Sequence, residues 1–248
     1  MVKLSRWKNQ KIIKHTSFYF LMDLKEKVVF ITGSSDGIGK EAAIAFAKEG
    51  ANVVVTYNSQ KKKAEKVYSE CKKLTESMIV KLDISDEESI KKCVENVVDK
   101  FGDIDILVNN AGILIEKSLV EQSFNEIRNQ IEINLIGLMN ATKIVLPYFQ
   151  AKNDGIVINI ASMAGKRVKW PETAPYSASK FGVRGFTQGM AKEYENINRN
   201  IRFYSVNPGM TATKMTDFEG YSPKKVAKLI VDTAKENLGK KSGDDVDF

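Results

Sequence analysis

The sequence predicts an α/β fold in which an open, doubly wound parallel β-sheet carries helices on both faces. Short apolar runs alternate regularly with charged or alanine-rich segments of helical length. Strands that are buried on both faces read as continuous apolar runs, and the right-handed crossover rule distributes the intervening helices over the two faces. The 248 residues are enough for one such domain with a large core and too few for two of ordinary size.

The elements follow one another in a regular order. Apolar runs predict strands over residues 28–32, 52–56, 78–82, 104–108, 155–160 and 201–206, with a short last strand near Val246. The intervening segments predict helices over residues 38–49, 61–74, 86–101, 124–149, 176–195 and 223–237. Gly50 is a favourable residue to follow the first helix, and the acidic residues at 86–88 suit the first turn of the third. No repeat or linker divides the chain, so we expect one domain.

Composition excludes several classes of function. Apolar residues make up 43% of the chain and charged residues 28%, without any apolar stretch of eighteen residues, so we expect a soluble protein without a membrane span. Cys71 and Cys93 lie in charged, helix-like segments, which indicates a reducing compartment and a cytoplasmic location. The only histidine is His15. A Ser-His-Asp triad and a His-rich metal site are therefore excluded from the body of the chain, and we expect no metal.

The net charge of +7 is concentrated at the start of the chain. Residues 1–22 hold five of the 38 basic residues and no acidic one, which leaves 33 basic against 31 acidic residues in the remainder. We therefore expect no nucleic-acid binding by the body of the protein. Residues 1–22 are interpreted as a basic, disordered or spurious extension before a domain at 23–248, with Met22 as the real start. A weak surface anchor or a poor signal sequence is the alternative.

A glycine-rich segment lies between the first strand and the first helix. It reads Thr32-Gly-Ser-Ser-Asp-Gly-Ile-Gly39 and has the spacing G-x-x-x-G-x-G. Glycines at such a turn let the backbone approach a pyrophosphate, which the helix N-terminus then stabilises. The lysine-containing phosphate loop is excluded because no G-K-S/T follows. The segment predicts nucleotide binding, and a purely structural turn is the alternative.

A tyrosine and a lysine at helical spacing predict proton transfer. Tyr176 and Lys180 are four residues apart and share one helix face, and Ser162 lies fourteen residues before Tyr176. Lowering the pKa of a phenol from about 10 to about 7 needs roughly 4 kcal/mol. One positive charge at about 4–5 Å supplies roughly 3–4 kcal/mol at an effective dielectric near 20. The spacing alone also fits a solvated helix face.

The motifs together resemble the short-chain dehydrogenase/reductase family, in its single-domain branch. The resemblance covers Asp23–Phe248 and rests on T-G-x-x-x-G-I-G at 32–39, Asp83-Ile84, N-N-A-G at 109–112, Asn134, Ser162, Tyr176-x-x-x-Lys180 and Pro208-Gly209. It implies a Rossmann-type fold. It also implies an NAD(P)-dependent oxidoreductase that interconverts a carbonyl and a secondary alcohol of a small molecule.

The resemblance also implies four catalytic roles. Tyr176 is expected to be the general acid and base. Lys180 is expected to lower the pKa of Tyr176 and to bind the nicotinamide ribose. Ser162 is expected to donate a hydrogen bond to the substrate oxygen. Asn134 is expected to anchor a water that relays protons through Lys180, and an ordinary polar helix residue is the alternative.

Cofactor contacts are implied in the same way. The expected residues are Gly33, Ser35, Asp36, Gly37, Ile38 and Gly39 in the glycine-rich segment, Tyr57 and Asn58 after the second strand, Asp83 and Ile84 beside the adenine, Asn110, Ala111 and Gly112 after the fourth strand, and Pro208, Gly209, Thr211 and Thr213 on the nicotinamide side, with Tyr176 and Lys180. Thr211 stands where the family often has an aliphatic residue.

NADP is the preferred cofactor prediction, with NAD possible. Tyr57 occupies the place where NAD-dependent members have an acidic residue that binds the ribose 2′-hydroxyl. Asn58, Ser59 and the lysines at 61–63 are available to a 2′-phosphate, although those lysines also suit a solvated helix start. Against NADP, Asp36 stands where many NADP-dependent members have a basic residue.

The substrate is predicted only in outline, as a carbonyl of the simple or 3-oxoacyl type. Lys166, Arg167, Lys169 and Trp170 lie where the family lines its substrate cleft, and a solvated loop is the alternative. A short segment before Tyr221 predicts a short lid and an open cleft. The chain lacks the Gly-Gly tail common in acyl-carrier-protein reductases, which weakens a role in fatty-acid elongation.

Family members are commonly homodimers or homotetramers built on two long helices, which here correspond to residues 124–149 and 176–195. A cofactor-binding sensor or scaffold without turnover is the competing function, although such proteins typically lose the tyrosine or the lysine. A peripheral membrane or nucleic-acid protein acting through residues 1–22 is a third reading. Sugar-nucleotide epimerases share the Tyr-Lys pair but have a longer C-terminal substrate region.

Overall fold

A computed structural model describes residues 22–197 and 199–248 and confirms the predicted fold class. Its strands are β1 (Val28–Ile31), β2 (Asn52–Tyr57), β3 (Ser77–Lys81), β4 (Ile106–Asn109), β5 (Gly155–Ile160), β6 (Ile201–Asn207) and β7 (Asp245–Asp247). Its α-helices are α1 (Gly37–Lys48), α2 (Lys61–Lys72), α3 (Glu87–Phe101), α4 (Phe124–Ile131), α5 (Gly137–Lys152), α6 (Ala174–Asn196) and α7 (Pro223–Ala234).

The seven strands form one parallel sheet in the order β3-β2-β1-β4-β5-β6-β7. Strand β1 pairs with β2 on one side and with β4 on the other, so the order of the strands reverses at β1 and β4. In open α/β sheets such a reversal opens a crevice at the carboxyl ends of the strands. The topology therefore indicates where a ligand site should be sought.

Two apolar layers cover the sheet, one on each face. Helices α1, α2 and α7 pack on one face through residues such as Phe46, Val67 and Ile230, all of which are buried. Helices α3, α5 and α6 pack on the other face, where Phe149 and Tyr194 are buried among them. Alternate residues of each strand supply the two layers, as the pleat of a strand requires.

The predicted helix over residues 124–149 is wrong in one respect, because the structure divides it. Helix α4 ends at Ile131, a π-helix spans Glu132–Ile136, and α5 then continues through Pro147 to Lys152. In the π-turn the backbone N–H of Gly137 donates to the carbonyl of Glu132, five residues earlier. A Cβ on Gly137 would lie 2.4 Å from the carbonyl oxygen of Ile84, so the glycine lets α5 begin against the segment after β3.

Other boundaries differ by a few residues. Helix α6 begins at Ala174, two residues before the predicted start, with Pro175 in its first turn. Helix α7 ends at Ala234 instead of residue 237, and Glu236 follows with φ 56°. In the part of the chain that the structure describes, no helix is long and apolar enough to cross a membrane. The extension proposed for residues 1–22 lies outside the described residues except for Met22, whose N–H donates to the Lys235 carbonyl.

Candidate active site

A cleft of about 710 Å³ lies at the carboxyl ends of the strands. Residues at the carboxyl ends of six strands line it: Asn58, Leu82, Asn110, Ala161 and Pro208 directly follow their strands, and Gly33 lies two residues after β1. The cleft spans the point where the strand order reverses between β1 and β4. All of the predicted site residues line it except Gly39, Tyr57 and Asn134.

The glycine-rich segment forms a tight turn between β1 and α1. Gly33 has φ +66°, and a Cβ there would lie 2.9 Å from the Cα of Ala111. A Cβ on Gly39 would lie 2.4 Å from the carbonyl oxygen of Gly33 and 2.4 Å from the side-chain nitrogen of Asn110. Gly39 is therefore a packing residue: it does not face the cleft, and it lets α1 start directly under the turn.

Hydrogen bonds with the segment that follows β4, the neighbour of β1 in the sheet, hold this turn in place. The Thr32 hydroxyl oxygen accepts from the backbone N–H groups of Asn110 (2.9 Å) and Ala111 (3.0 Å). The Asn110 amide nitrogen donates to the carbonyls of Thr32 and Gly33, each at 3.0 Å. Asn110, expected beside the adenosine ribose, thus lines the cleft while its amide donors fix the shape of the glycine turn.

Tyr57 does not lie in the cleft. It is the last residue of β2 and packs on the core, on the same face as Val53 and Val55, because residues two apart in a strand point the same way. Asn58 follows Tyr57 outside the strand and lines the cleft together with Ser59. The side chain of Tyr57 therefore lies outside the cleft lining, and its contact with the cofactor stays a prediction, whereas Asn58 lines the cleft directly.

Asp36 is the N-cap of α1 and forms an ion pair with α2. Its carboxylate accepts from the N–H of Gly37 at 2.9 Å, and Lys63 Nζ lies 2.5 Å from its other oxygen. Burial raises the pKa of Asp36, but the hydrogen bonds from Lys63 and Gly37 outweigh it, so the pKa lies below its ordinary value. Of the lysines at 61–63, Lys63 therefore affects the cleft through Asp36, which lines it.

Asp83 and Ile84 line the cleft next to Asn58. The Asp83 carboxylate accepts from the Ser85 hydroxyl at 2.6 Å and from the Ser85 N–H at 3.0 Å. The hydrogen bond from the Ser85 hydroxyl, together with those from the Ser85 backbone and the Asn58 side chain, lowers the pKa of Asp83. Asp83 is therefore a charged carboxylate whose orientation is fixed by hydrogen bonds, and it lies beside Asn58 in the cleft.

Tyr176 and Lys180 lie in the first two turns of α6 and face the cleft together. Lys180 is 5% exposed, and its Nζ donates to the carbonyl of Ile160 at 2.8 Å. The same Nζ lies 5.8 Å from the centre of the Tyr176 ring. The predicted sharing of one helix face is confirmed by this arrangement.

Burial dominates the titration of both groups. Burial raises the pKa of the Tyr176 phenol, and a hydrogen bond with Ser162 acts in the opposite direction. Burial lowers the pKa of Lys180 to about 8. The sequence argument expected the lysine charge to bring the phenol near neutrality, and the protein alone does not achieve this, because desolvation disfavours both charged forms.

Ser162 directly follows the β5–Ala161 segment and caps a 3₁₀-turn at Met163–Gly165. Its hydroxyl accepts from the N–H of Ala164 at 3.1 Å. That hydrogen bond uses a lone pair and leaves the hydroxyl proton available to a group in the cleft. Ser162 also forms a hydrogen bond with Tyr176, so the two hydroxyl groups lie close together in the cleft.

Asn134 is fully buried at the centre of the π-helix. Its Oδ1 accepts from the N–H of Ile113 at 2.8 Å, and its Nδ2 donates to the Ile113 carbonyl at 2.9 Å and to the Ser179 hydroxyl at 3.1 Å. The side chain thus connects the segment after β4 to the helix of Tyr176 and Lys180. Both N–H donors of the Asn134 amide are therefore used within the protein.

The segment after β6 closes the cleft as a short, self-bonded lid, residues 209–222. Thr211 pairs with Tyr221, and a 3₁₀-turn spans Lys214–Thr216. Thr213 packs against the glycine turn, since a Cβ on Gly37 would lie 3.3 Å from its methyl group. Pro208, Gly209, Thr211 and Thr213 all line the cleft as predicted.

Four apolar residues in the lining of the cleft were not predicted from the sequence. They are Leu114, Ile133, Met210 and Met215. Trp170 lines the cleft as expected, but the basic residues near it do not, and Lys166 instead pairs with Asp247 at 2.7 Å. No motif marks these apolar residues. The only available signal was the position of the segments after β4 and β6.

The fold and the cleft define a nucleotide-dependent oxidoreductase. A glycine turn at a helix N-terminus stands at one end of the cleft, and a tyrosine, a lysine and a serine converge at the other. Within residues 22–197 and 199–248, no group of three or more His, Cys, Asp or Glu side chains is arranged to hold a metal ion.

Comparison with known proteins agrees with this class. The family described as short chain dehydrogenase matches residues 27–222. A protein named 3-oxoacyl-(acyl-carrier-protein) reductase FabG from Thermotoga maritima is 39% identical over 197 residues, which cover 79% of this chain and 78% of the relative. A protein of the same name from Staphylococcus aureus is 37% identical over 192 residues, 77% of each chain. The chain therefore belongs to the short-chain dehydrogenase/reductase family and is an NAD(P)-dependent oxidoreductase acting on CH–OH or C=O groups.

A solved structure supports the same conclusion for the fold. A dehydrogenase/reductase from Sinorhizobium meliloti superposes with a TM-score of 0.85 at 27% sequence identity. The match covers 94% of this chain and 97% of the other. The fold is thus shared along nearly the whole of both chains.

Proposed function

We propose that this protein is an NADPH-preferring reductase that converts a small carbonyl substrate of the 3-oxoacyl type into the secondary alcohol. The observation that carries the proposal is the convergence of Ser162, Tyr176 and Lys180 at one end of a cleft whose other end is the glycine turn. NAD is the alternative cofactor.

Each converging residue has one role in this proposal. Ser162 donates its hydroxyl proton to the carbonyl oxygen and stabilises the negative charge that develops there. Tyr176 transfers its phenolic proton to that oxygen as the carbon is reduced. A high pKa of the phenol suits the reductive direction, since the proton must be present before it is given. Lys180, with a single protein acceptor at Ile160, has two further N–H donors for the ribose and for proton relay.

The remaining residues fit a nicotinamide dinucleotide. The turn from Gly33 to Ile38 offers backbone N–H groups at a helix N-terminus to a pyrophosphate, and Asp83 and Asn58 stand at the adenine end. When bound, the reduced nicotinamide supplies the hydride. We propose that its contacts are Gly33, Ser35, Asp36, Gly37, Ile38, Asn58, Asp83, Ile84, Asn110, Ala111, Gly112, Pro208, Gly209, Thr211 and Thr213. Gly39 and Asn134 lie outside the lining and support the segments that form it.

The proposed preference for NADPH depends on the surroundings of Asp36, the acidic residue that counted against NADP in the sequence. Asp36 is paired with Lys63 and caps α1, so its charge is offset where a 2′-phosphate would lie. Asn58 and Ser59, which follow β2, add two hydrogen-bonding side chains and no acidic group. The end of β2 therefore lacks the carboxylate that selects for a free 2′-hydroxyl.

The 3-oxoacyl class rests on the names of the two relatives and on the apolar substrate end. Met210, Met215 and Trp170 line the cleft beyond Ser162 and Tyr176. An aliphatic acyl chain would bury apolar surface against them, whereas a sugar would leave its hydroxyls without partners. The side chains therefore suit a carbonyl carried on an apolar chain.

The test is NADPH oxidation with a 3-oxoacyl thioester, acetoacetyl-coenzyme A, beside a compact hydrophilic ketone of equal concentration. We expect kcat/KM at least about tenfold higher for the thioester, which corresponds to roughly 1.4 kcal/mol of transition-state binding, and higher with NADPH than with NADH. Equal rates for the two ketones would contradict the substrate class. Tight NADPH binding with no turnover of any carbonyl would favour the sensor instead.

Assembly and location are further parts of the proposal. Phe124, Ile136 and Phe181 on α4, the π-helix and α6 are 87%, 37% and 42% exposed, which supports a homodimer or homotetramer built on these helices. Cys71 and Cys93 are free, buried thiols, which supports a reducing, cytoplasmic location. Light scattering during gel filtration tests the assembly, and a single species of 27.8 kDa would contradict it.

A further inference from the structure

The edge strand β7 carries two carboxylates, of which Asp245 is largely buried and Asp247 is exposed. Asp245 and Asp247 lie on one face of the strand, while Val246 between them is buried in the core on the opposite face. The strand pairs only with β6 among the described residues. Asp245 is 16% exposed and lies outside the lining of the cleft.

Asp245 binds Arg184 of α6 through both of its oxygens. The Arg184 Nε lies 3.0 Å from Oδ1, and the terminal nitrogen NH2 lies 2.5 Å from Oδ2. Such a two-point contact fixes orientation as well as charge. The hydrogen bonds from Arg184 and Asn207 outweigh the effect of burial and lower the pKa of Asp245 to about 2.

Arg184 connects this carboxylate to the turn that follows Ser162. It lies four residues after Lys180 on α6, and its other terminal nitrogen donates to the carbonyl of Gly165 at 2.8 Å. Gly165 in turn lies against the backbone of Lys180, where a Cβ would come within 2.6 Å of the Lys180 carbonyl oxygen. The Ser162 turn and the helix of the proposed proton donor therefore meet at one point, which Arg184 bridges.

Asp245 also binds the strand that leads to the nicotinamide side of the cleft. The side chain of Asn207, the last residue of β6, is fully buried and donates to Asp245 Oδ1 at 3.1 Å. Pro208 and Gly209 follow directly. One carboxylate thus connects the three segments that carry Ser162, the Tyr176–Lys180 pair and the Pro208–Gly209 turn.

We propose that Asp245, acting through Arg184 and Asn207, is a positioning residue for the reaction: it sets the distance of the Ser162 hydroxyl from the Tyr176 phenol. The inference rests on the proposed function. It adds a residue of the last strand that touches neither substrate nor cofactor. Because a misplacement of about 1 Å at reacting groups costs about 100-fold in rate, loosening this connection is expected to lower kcat.

The test compares Asp245→Asn with Asp154→Asn. Asp154 lies 2.6 Å from Arg202 at the opposite end of β6, so its variant loses one aspartate–arginine contact far from the cleft, while Arg202 keeps Glu236 at 3.0 Å. We expect Asp245→Asn to lower kcat about 10- to 100-fold with KM changed less than about threefold. Asp154→Asn is expected to keep kcat within about twofold. Asp245→Glu should recover part of the rate.

A second measurement is independent of turnover. Hydrogen exchange of backbone amides in residues 162–167 should accelerate in Asp245→Asn and stay unchanged in Asp154→Asn. If both variants show the same kcat and the same exchange in that segment, Asp245 only stabilises the fold and the inference is overturned. If the wild-type protein reduces no carbonyl, the proposed function fails, and exchange alone decides whether Asp245 fixes the Ser162 turn.

Discussion

The two ends of the cleft are stabilised by different interactions. At the glycine turn, mainly neutral groups hold the backbone, namely the Thr32 hydroxyl, the Asn110 amide and the close approach of Gly33 to Ala111. The charged group there, the Asp36 carboxylate that caps α1, is paired with Lys63. At the catalytic end, Lys180 is buried as a titratable group, and Arg184 is paired with Asp245 beneath it. The first end is therefore sensitive to side-chain volume, and the second is sensitive to charge and pH.

The difference follows from what each end is proposed to do. A phosphate-binding turn needs fixed backbone N–H groups, and close packing with neutral hydrogen bonds fixes them without competing charges. A proton-transfer site needs groups whose charge changes during the reaction, so it must bury ionisable side chains at a cost in stability. The comparison predicts four outcomes, of decreasing size.

The largest effect is expected for Tyr176→Phe, which removes only the phenolic oxygen. Proton donation by a positioned side chain contributes about 10²–10⁴-fold, so we expect kcat to fall by about 10³-fold. NADPH affinity, measured by nicotinamide fluorescence, should change less than about twofold because the glycine turn is intact. Unchanged turnover in this variant would remove Tyr176 from the mechanism, whatever the fold.

Lys180→Met tests the cost of the buried amine. Its pKa is lowered to about 8, while an unfolded lysine titrates near 10.4, so between these values the unfolded state binds more protons and stability rises with pH. The wild-type protein should therefore gain about 2–3 kcal/mol relative to Lys180→Met as the pH rises from 7 to 10. Urea unfolding of both proteins at the two pH values measures the change.

The other lysines are present in both proteins, so their contribution to the change of stability with pH is the same and drops out of the difference. The comparison also cancels the unsatisfied Ile160 carbonyl that the methionine leaves, because that loss does not depend on pH. A constant difference between pH 7 and 10 would show that Lys180 titrates normally, and the contrast between the two ends of the cleft would then lose its main support.

The sequence was most informative where chemistry is local. The order of the strands and helices, the glycine turn and the sharing of one face by Tyr176 and Lys180 all depend on residues close in the chain, and each was confirmed. The face of Tyr57 was not predicted, because β2 extends one residue further than expected and turns this side chain toward the core with Val53 and Val55. The π-turn around Asn134 depends on contacts with Ile113 and Ser179.

Long-range charge pairs were beyond sequence reasoning for the same physical reason. Asp36 and Lys63 are 27 residues apart, and Arg184 and Asp245 are 61 residues apart. Nothing in composition or spacing brings such partners together before the sheet order is known. The apolar residues of the lining likewise come from distant parts of the chain, Leu114 and Ile133 on one side and Met210 and Met215 on the other.

Gly39→Ala tests the volume sensitivity of the glycine turn. The added methyl would meet two atoms at 2.4 Å, one of them a backbone carbonyl oxygen. Overpacking of this kind costs typically about 1–3 kcal/mol, and we expect NADPH affinity to fall with it. Gly185→Ala is the control, because nothing lies within 4 Å of a Cβ there. It should stabilise α6 by about 0.5–1 kcal/mol, as measured by thermal unfolding.

The smallest effect is expected for Lys63→Gln, which sharpens the cofactor assignment at the glycine turn. Removing the ammonium leaves the Asp36 carboxylate without its partner near the proposed 2′-phosphate position. The pair is half-exposed, so solvent screens it, and we expect NADPH to bind about three- to tenfold more weakly, or about 0.7–1.4 kcal/mol. NADH binding should stay unchanged because it has no 2′-phosphate.

Lys62→Gln is the matched control for this variant, since Lys62 is exposed on the same turn of α2 and loses the same formal charge. If both variants weaken NADPH equally, only the net charge of the helix matters, and the effect should vanish at high salt. If only Lys63→Gln weakens NADPH, its pairing with Asp36 sets the preference. An Asp36 carboxylate freed from Lys63 should repel a 2′-phosphate and tolerate a 2′-hydroxyl. If NADH binds Lys63→Gln more weakly than NADPH does, the assignment is reversed.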